Sequence, residues 1–224
     1  MKEEQLKILC THNNGGVGKT TLAVHIAGLL LEQGDNVLML DCDDQADFFQ
    51  FFSRGRKPGK HKDSHILEDS TVIWNKRRES IEDVAKPAGY AHVVLDIDSP
   101  LADTVQVIIG SQPNLVLVPI NASQESKALR NLPRTLKVLS SIGKNTAFNP
   151  KVVVVPLGVS EDSVRNVVGQ IEFENKPTSC RTAPRLPDLQ KEMQKAIYQD
   201  YRYIWSYGDR YSELTRYFDA LVKI

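Results

Sequence analysis

The sequence predicts an α/β fold of three layers, a mostly parallel sheet with helices on both faces. Two observations carry that reading. Short β-branched and aliphatic runs alternate with helical patterns nearly from end to end, as parallel strands joined by crossover helices require. A glycine-rich turn, residues 13–21, stands between the first strand and the first helix, the setting of a phosphate-binding loop. At 224 residues the chain is expected to form one such domain, residues 1–224.

The elements follow in order. Leu6–Thr11 reads as a buried strand. Lys19–Glu32 reads as a helix with Leu22, Ile26, Leu29 and Leu30 on one face, and Gly34 is its stop signal. Residues 36–41, 92–96 and 115–120 and Lys151–Leu157 are further apolar runs of strand length. Helical segments are expected near residues 80–85, 101–109, 124–141 and 160–170. Pro133 should kink or break the third of these. Residues 54–62, R-G-R-K-P-G-K-H-K, can only be a loop.

Composition narrows the function classes. Hydrophobic residues make up 41% and charged residues 25%, an ordinary globular mix. Lys+Arg and Asp+Glu number 28 each, so contact with a nucleic acid or a membrane has to come from a local patch. Cys10, Cys42 and Cys180 are widely spaced, which weighs against zinc and against an iron–sulfur cluster held by one chain. No apolar run reaches the length of a membrane span, and a cytoplasmic location is expected. Histidines 12, 25, 61, 65 and 92 show no metal-ligand spacing.

The loop reads T-H-N-N-G-G-V-G-K-T-T. Gly15, Gly16 and Gly18 let backbone N–H groups crowd an anion with no Cβ in the way. The helix starting near Lys19 points its positive end at the same place. Lys19 suits the β- and γ-phosphates of ATP, and the Thr20 hydroxyl suits Mg²⁺. Asn14, Gly15, Gly16, Val17, Gly18, Lys19, Thr20 and Thr21 are therefore the expected nucleotide cradle. A dinucleotide turn is the nearest competitor, but its third glycine position holds Thr21. Asn13 stands where the common pattern has glycine, so the loop is a deviant one.

Asp41, Asp43, Asp44 and Gln45 close the second strand in D-C-D-D-Q, on the sheet edge that carries the loop. Asp96 ends the strand H-V-V-L-D, followed by I-D-S-P. With the loop, these three motifs resemble the ParA/MinD ATPases, over what looks like the whole chain. The resemblance implies an ATP-dependent homodimer with two ATP–Mg²⁺ at its interface, non-specific binding to nucleoid DNA, and an adaptor protein that stimulates slow hydrolysis. The cargo would be a carboxysome, a plasmid or a chromosome. By position, Lys19 holds phosphate, Thr20 holds Mg²⁺, Asp43 orients the attacking water, and Asp41 and Asp96 support the metal.

One departure stands out. The family usually has a lysine where this chain has Asn14. A carboxysome-positioning subgroup is similar in lacking it, and there the charge is thought to come from the C-terminal half. Lys127, just after a strand that ends near the nucleotide edge, is the preferred replacement. Lys151 begins a strand and should lie on the far edge.

Other features have two readings each. Phe48, Phe49, Phe51 and Phe52 form either a nucleotide-responsive surface or a core with two half-covered rings. Arg181, Lys191, Lys195 and Arg202, with Arg185, are candidates for DNA contact, and the basic 54–62 loop is a weaker one. Pro184, Arg185, Leu186 and Pro187 form a turn that the family places near adenine, with Asp188 as a helix N-cap. Residues 211–224 read as a core helix with Leu214, Phe218 and Leu221 inward rather than as a membrane anchor. Two other classes compete: a metabolic phosphate-loop enzyme (a synthetase or small-molecule kinase) and a reductase like the nitrogenase iron protein. The first lacks a substrate-domain insertion, and the second lacks suitably placed cluster cysteines.

Overall fold

The computed structural model describes residues 5–60, 62–97, 101–146 and 149–223. His61, the D-S-P end of the I-D-S-P motif (98–100) and Ile224 lie outside the described residues. Eight strands form one sheet. They are β1 (Leu6–Thr11), β2 (Val37–Asp41), β3 (Lys62–Leu67), β4 (Ser70–Asn75), β5 (His92–Ile97), β6 (Leu115–Asn121), β7 (Lys151–Leu157) and β8 (Cys180–Thr182). Their order across the sheet is β3-β4-β2-β5-β1-β6-β7-β8, parallel throughout except for the β3–β4 hairpin. The helices are α1 (Lys19–Glu32), α2 (Asp47–Phe52), α3 (Ile81–Val84), α4 (Leu101–Ser111), α5 (Glu125–Asn145), α6 (Glu161–Gln170), α7 (Gln190–Tyr198) and α8 (Glu213–Val222).

Period-2 alternation sorts each central strand between two cores. Ile8 and Cys10 of β1 face one side with α1, α2, α7 and α8, while Leu9 faces the other with α3, α4, α5 and α6. Both faces of β1 and β5 are buried, so these strands read as unbroken apolar runs in the sequence. The three layers are thus those the sequence predicts.

Four local expectations change. Pro133 lies inside α5, yet the helix runs unbroken for 21 residues. Ala128, Leu132, Leu136 and Leu139 are fully buried along its inner face, and that anchoring outweighs the lost N–H bond. The four phenylalanines are no surface: none is more than 4% exposed. One helix face could not bury them all, but the segment after α7 wraps the second side of α2, with Tyr203 5.5 Å from the Phe51 ring. Asp188 does not cap α7. Leu189 holds the N-cap position, and Asp188, one residue before it, accepts a 3.4 Å bond from the N–H of Gln190, the first residue of α7. The 54–62 segment is not all loop: Lys62 already belongs to β3, and the segment is held by Arg54 on the Tyr201 carbonyl and by Arg56 paired with Asp63 at 2.8 Å.

At the C-terminus α8 behaves as a core helix. Leu214, Phe218 and Leu221 are buried, and Phe218 stacks on His25 of α1 with ring centroids 5.1 Å apart. Among the described residues no helix is long and apolar enough to cross a membrane.

Candidate functional site

The central strand β1 delivers the glycine-rich loop to the C-terminal edge of the sheet, where α/β folds bind ligands. Gly16 and Gly18 take φ of 71° and 103°, in the left-handed region that disfavours other residues. A Cβ on Gly18 would come within 2.6 Å of Leu157 Cδ1, so that leucine side chain would have to shift. Gly18 is the N-cap of α1 and offers no side-chain oxygen, which leaves the first-turn N–H groups of α1 without a side-chain cap.

Lys19 is 5% exposed, and its Nζ donates a 2.7 Å bond to the Asn14 carbonyl. Helix α5 braces the same loop. Asn131 Nδ2 donates to Asn14 Oδ1 at 2.9 Å, and Thr135 Oγ1 accepts from the Asn13 N–H at 3.2 Å. His12 is fully buried and accepts the Asn14 N–H on Nδ1. Burial, then the charge of Lys19, pushes its pKa down to about 4, so it is neutral at pH 7. The side chains of Asn14 and Val17, both expected in the cradle, are buried, Asn14 bonded to α5 and Val17 in the core cluster that α5 shares. A side chain at position 14 points into the molecule, which is why asparagine fits there.

The cleft opening beside the loop has a volume of about 330 Å³. Gly15, Gly16, Gly18, Lys19, Thr20 and Thr21 form one wall, and Asp43, Gln45 and Asp47 form another. The 186–190 segment with Met193, Gln194 and Tyr198 of α7 closes the third, with Asn121 and Leu157 at the strand ends. Of the expected adenine turn, Leu186 and Pro187 line the cleft and Pro184 and Arg185 do not. Pro184 lends its carbonyl to the Tyr217 hydroxyl, and Arg185 reaches the Gly158 carbonyl at 3.1 Å.

The acidic residues split into two groups. Asp41 and Asp96 are register partners on β2 and β5, 0% and 1% exposed, and neither lines the cleft. Asp41 accepts the N–H groups of Asp43 at 2.9 Å and Phe49 at 2.8 Å, so it shapes the acidic turn and the start of α2. Burial, then the neighbouring Asp96, raises its pKa well above the carboxylate range, and those two N–H bonds oppose the rise. Asp43 does line the cleft. Its Oδ1 accepts the Gln45 N–H, and its carbonyl accepts Trp74 Nε1–H at 2.8 Å. Asp47, beside it, is pushed up to about 6 by burial and then by Asp43. Tyr198 shows the same field: burial, then Asp47, Asp96, Asp43 and Asp41, raises its hydroxyl.

Lys127 is exposed one turn into α5. The preceding Gln124 puts its Cγ 3.8 Å from where a Gly16 Cβ would sit, so this end of α5 borders the loop. Lys151 pairs in register with Leu115 at the opposite edge of the sheet. Arg181 is exposed on β8, Lys191 and Lys195 on α7, and Arg202 just beyond. Lys195 stands 3.8 Å from Asp200.

Sequence reasoning missed Asn121, Asp47, Met193, Gln194 and Tyr198 as cleft residues. Asn121 was findable, because it ends a central parallel strand at the ligand edge. The α7 residues carry no local signal, and only the tertiary fold brings them to the loop.

The residues present fit a nucleoside triphosphate with a divalent cation. Glycines crowd the loop, the α1 N-terminus lacks a side-chain cap, and the Thr20 hydroxyl and the Asp43 carboxylate in the same cleft offer oxygens to a cation.

Comparison with known proteins is consistent with that fit. The family described as the CobQ/CobB/MinD/ParA nucleotide binding domain matches residues 8–193. The maintenance of carboxysome distribution protein A of Synechococcus elongatus is 24% identical over 178 residues, covering 66% of this chain and 70% of that protein. The fold is similar to that of apo McdA from Cyanothece, with a TM-score of 0.72, 19% identity, and coverage of 97% of this chain and 98% of that one. An ATP complex of an aspartate-to-alanine variant of Cyanothece McdA gives a TM-score of 0.67 at 18% identity, covering 97% and 95%.

Proposed function

The chain belongs to the CobQ/CobB/MinD/ParA nucleotide-binding family, and from that membership we propose that it is a positioning ATPase of the ParA/MinD type. In this reading two copies clasp two ATP–Mg²⁺ between them, the dimer binds nucleoid DNA without sequence preference, and an adaptor protein stimulates slow hydrolysis. The cargo favoured by its relatives is a carboxysome. The observation that carries the proposal is the convergence, in one cleft, of the glycine loop, Lys19, Thr20 and Asp43.

Each residue has a part. Backbone N–H groups of Gly15–Gly18 and the α1 N-terminus hold the phosphates, and Lys19 leaves the Asn14 carbonyl to pair with them. Mg²⁺, when bound, neutralises phosphate charge; Thr20 would hold it, with Asp41 and Asp96 supporting from the strand ends. Asp43 orients the attacking water, and its turn is fixed by Asp41 and Trp74. Leu186 and Pro187 border the base, with Asn121 in the same cleft lining. Lys127 supplies the cross-subunit charge that Asn14 cannot.

A mobility-shift assay with duplex DNA in ATP, in ADP and without nucleotide tests this. A shift seen only with ATP is expected. Steady turnover with no DNA binding and no adaptor effect would instead favour a metabolic enzyme on the same loop.

A further inference from the structure

We propose that the outward face of α5 is the surface that holds the sugar–phosphate backbone of double-stranded DNA, an assignment resting on the DNA-binding reading above. Arg130, Arg134, Lys137 and Lys144 are all exposed, at spacings of four, three and seven residues. Those spacings place them along one side of a helix. Glu125 is the only carboxylate in the helix, at its first position. No ion pair among the described residues involves any of the four cations, and Lys144 donates to the Glu174 carbonyl.

The opposite side of α5 is anchored. Ala128, Leu132, Leu136, Leu139 and Ile142 are buried on the sheet, so the cations project from a fixed rod. From Arg130 to Lys144 the line is about 21 Å long at ~1.5 Å per residue. Duplex DNA presents one charge per ~1.7 Å, a row of one sign that such a line matches. Protein surfaces usually intersperse both signs, so the unbroken line favours a phosphate backbone over an acidic partner. The chain as a whole is neutral, which makes this a local excess and not a general one. The nearby carboxylate of Glu172, across a groove from Arg134 and Lys137, is bonded to Asn175 at 2.8 Å.

The basic set marked in the sequence is less suited. Arg181, Lys191, Lys195 and Arg202 are interleaved with Asp188, Glu192 and Asp200, and Lys195 already has an acidic neighbour. Position adds a second argument. Helix α5 starts at the loop and runs away from it, so two copies meeting at their clefts would bring two stripes toward a shared line. Doubling the row on dimerisation makes DNA affinity depend on ATP.

The test uses the full chain with ATP and Mg²⁺, a fluorescent duplex and anisotropy over a salt titration. The triple variant Arg130→Gln, Arg134→Gln, Lys137→Gln should bind duplex at least about 10-fold more weakly at ~0.1 M salt. Its slope of log K on log salt should be shallower by ~0.9 for each phosphate that is no longer neutralised. A variant with Lys191→Gln, Lys195→Gln and Arg202→Gln should stay within about twofold of the wild type, since its cations have acids among them. Both variants should bind ATP normally, which shows that they are folded. Wild-type affinity and slope in the α5 variant would overturn the assignment alone, and so would displacement of the duplex by polyglutamate at equal charge. Failure of the wild-type chain to bind duplex in ATP would overturn the DNA reading itself.

Discussion

Two regions build one cleft by different means. The loop at residues 13–21 is set by local demands: positive φ at Gly16 and Gly18, and a helix start at Lys19. The wall opposite, from Leu186 through α7, is set by distant packing. Its segment continues into Tyr203 and Trp205, which stack at 5.1 Å, and Trp205 meets His25 of α1 at 5.3 Å. Ile204 donates its N–H to His25 Nε2 at 3.2 Å, while His25 Nδ1 bonds the Thr21 carbonyl at 2.7 Å. A single buried histidine thus joins the loop's helix to the C-terminal wall. Chemistry concentrates where the backbone is locally prescribed, and stability where aromatic rings meet across the chain.

If that division holds, changes in the two regions should fail in different ways. The largest effect belongs to the loop. Lys19→Ala should cut ATP turnover by about 10²–10³-fold or more, the scale of losing a charge-stabilising donor. Its melting temperature should change little, and a large drop would mean that Lys19 is structural. Asp43→Ala comes next. It should lose about 10²-fold or more of turnover and keep ATP binding, measured by calorimetry. Normal turnover there would assign the water to another group, with Asp47 next in line. In the wall, Phe218→Ala should cost about 3–5 kcal/mol of stability by leaving a cavity against His25. Denaturant unfolding measures it, and turnover per folded molecule should change far less than in Lys19→Ala.

The smallest effect concerns the join itself. Burial holds the pKa of His25 down to about 4, from an ordinary value near 6.5, and its bond to the Thr21 carbonyl only partly opposes this. The unfolded chain therefore binds one more proton than the folded one between those values. This contribution to stability is full above pH 6.5 and is lost as pH falls toward 4, by up to about 1.4 kcal/mol per pH unit. His25→Gln should make unfolding curves taken between pH 6.5 and 4 less steep in pH, while His12, also held down to about 4, keeps its own share of the slope. An unchanged slope would place the proton on another group.

The same contrast explains what the sequence could reveal. The parallel strands, α1 and the phosphate loop were legible because their period and glycines are local necessities. The D-C-D-D-Q cluster was legible as acidic, but not its division into a buried Asp41 and a cleft-lining Asp43, since a register with β5 decides that. The β3–β4 hairpin went unseen. Strand β3, K-D-S-H-I-L, sits at the sheet edge with alternating exposure and has no apolar run. Phe48–Phe52 was ambiguous because its second covering layer comes from about 150 residues later, beyond any periodicity window. The fate of position 14 was equally hidden, since Asn131 reaches it only after α5 has folded back over the loop.

In the proposed cycle ATP in this cleft joins two chains. Light scattering after size-exclusion chromatography, run on Asp43→Ala with Mg²⁺ in either ATP or ADP, tests it directly. The chain is 25.1 kDa. A mass twice that in ATP and a monomer mass in ADP is the predicted result, and a monomer in both would contradict it.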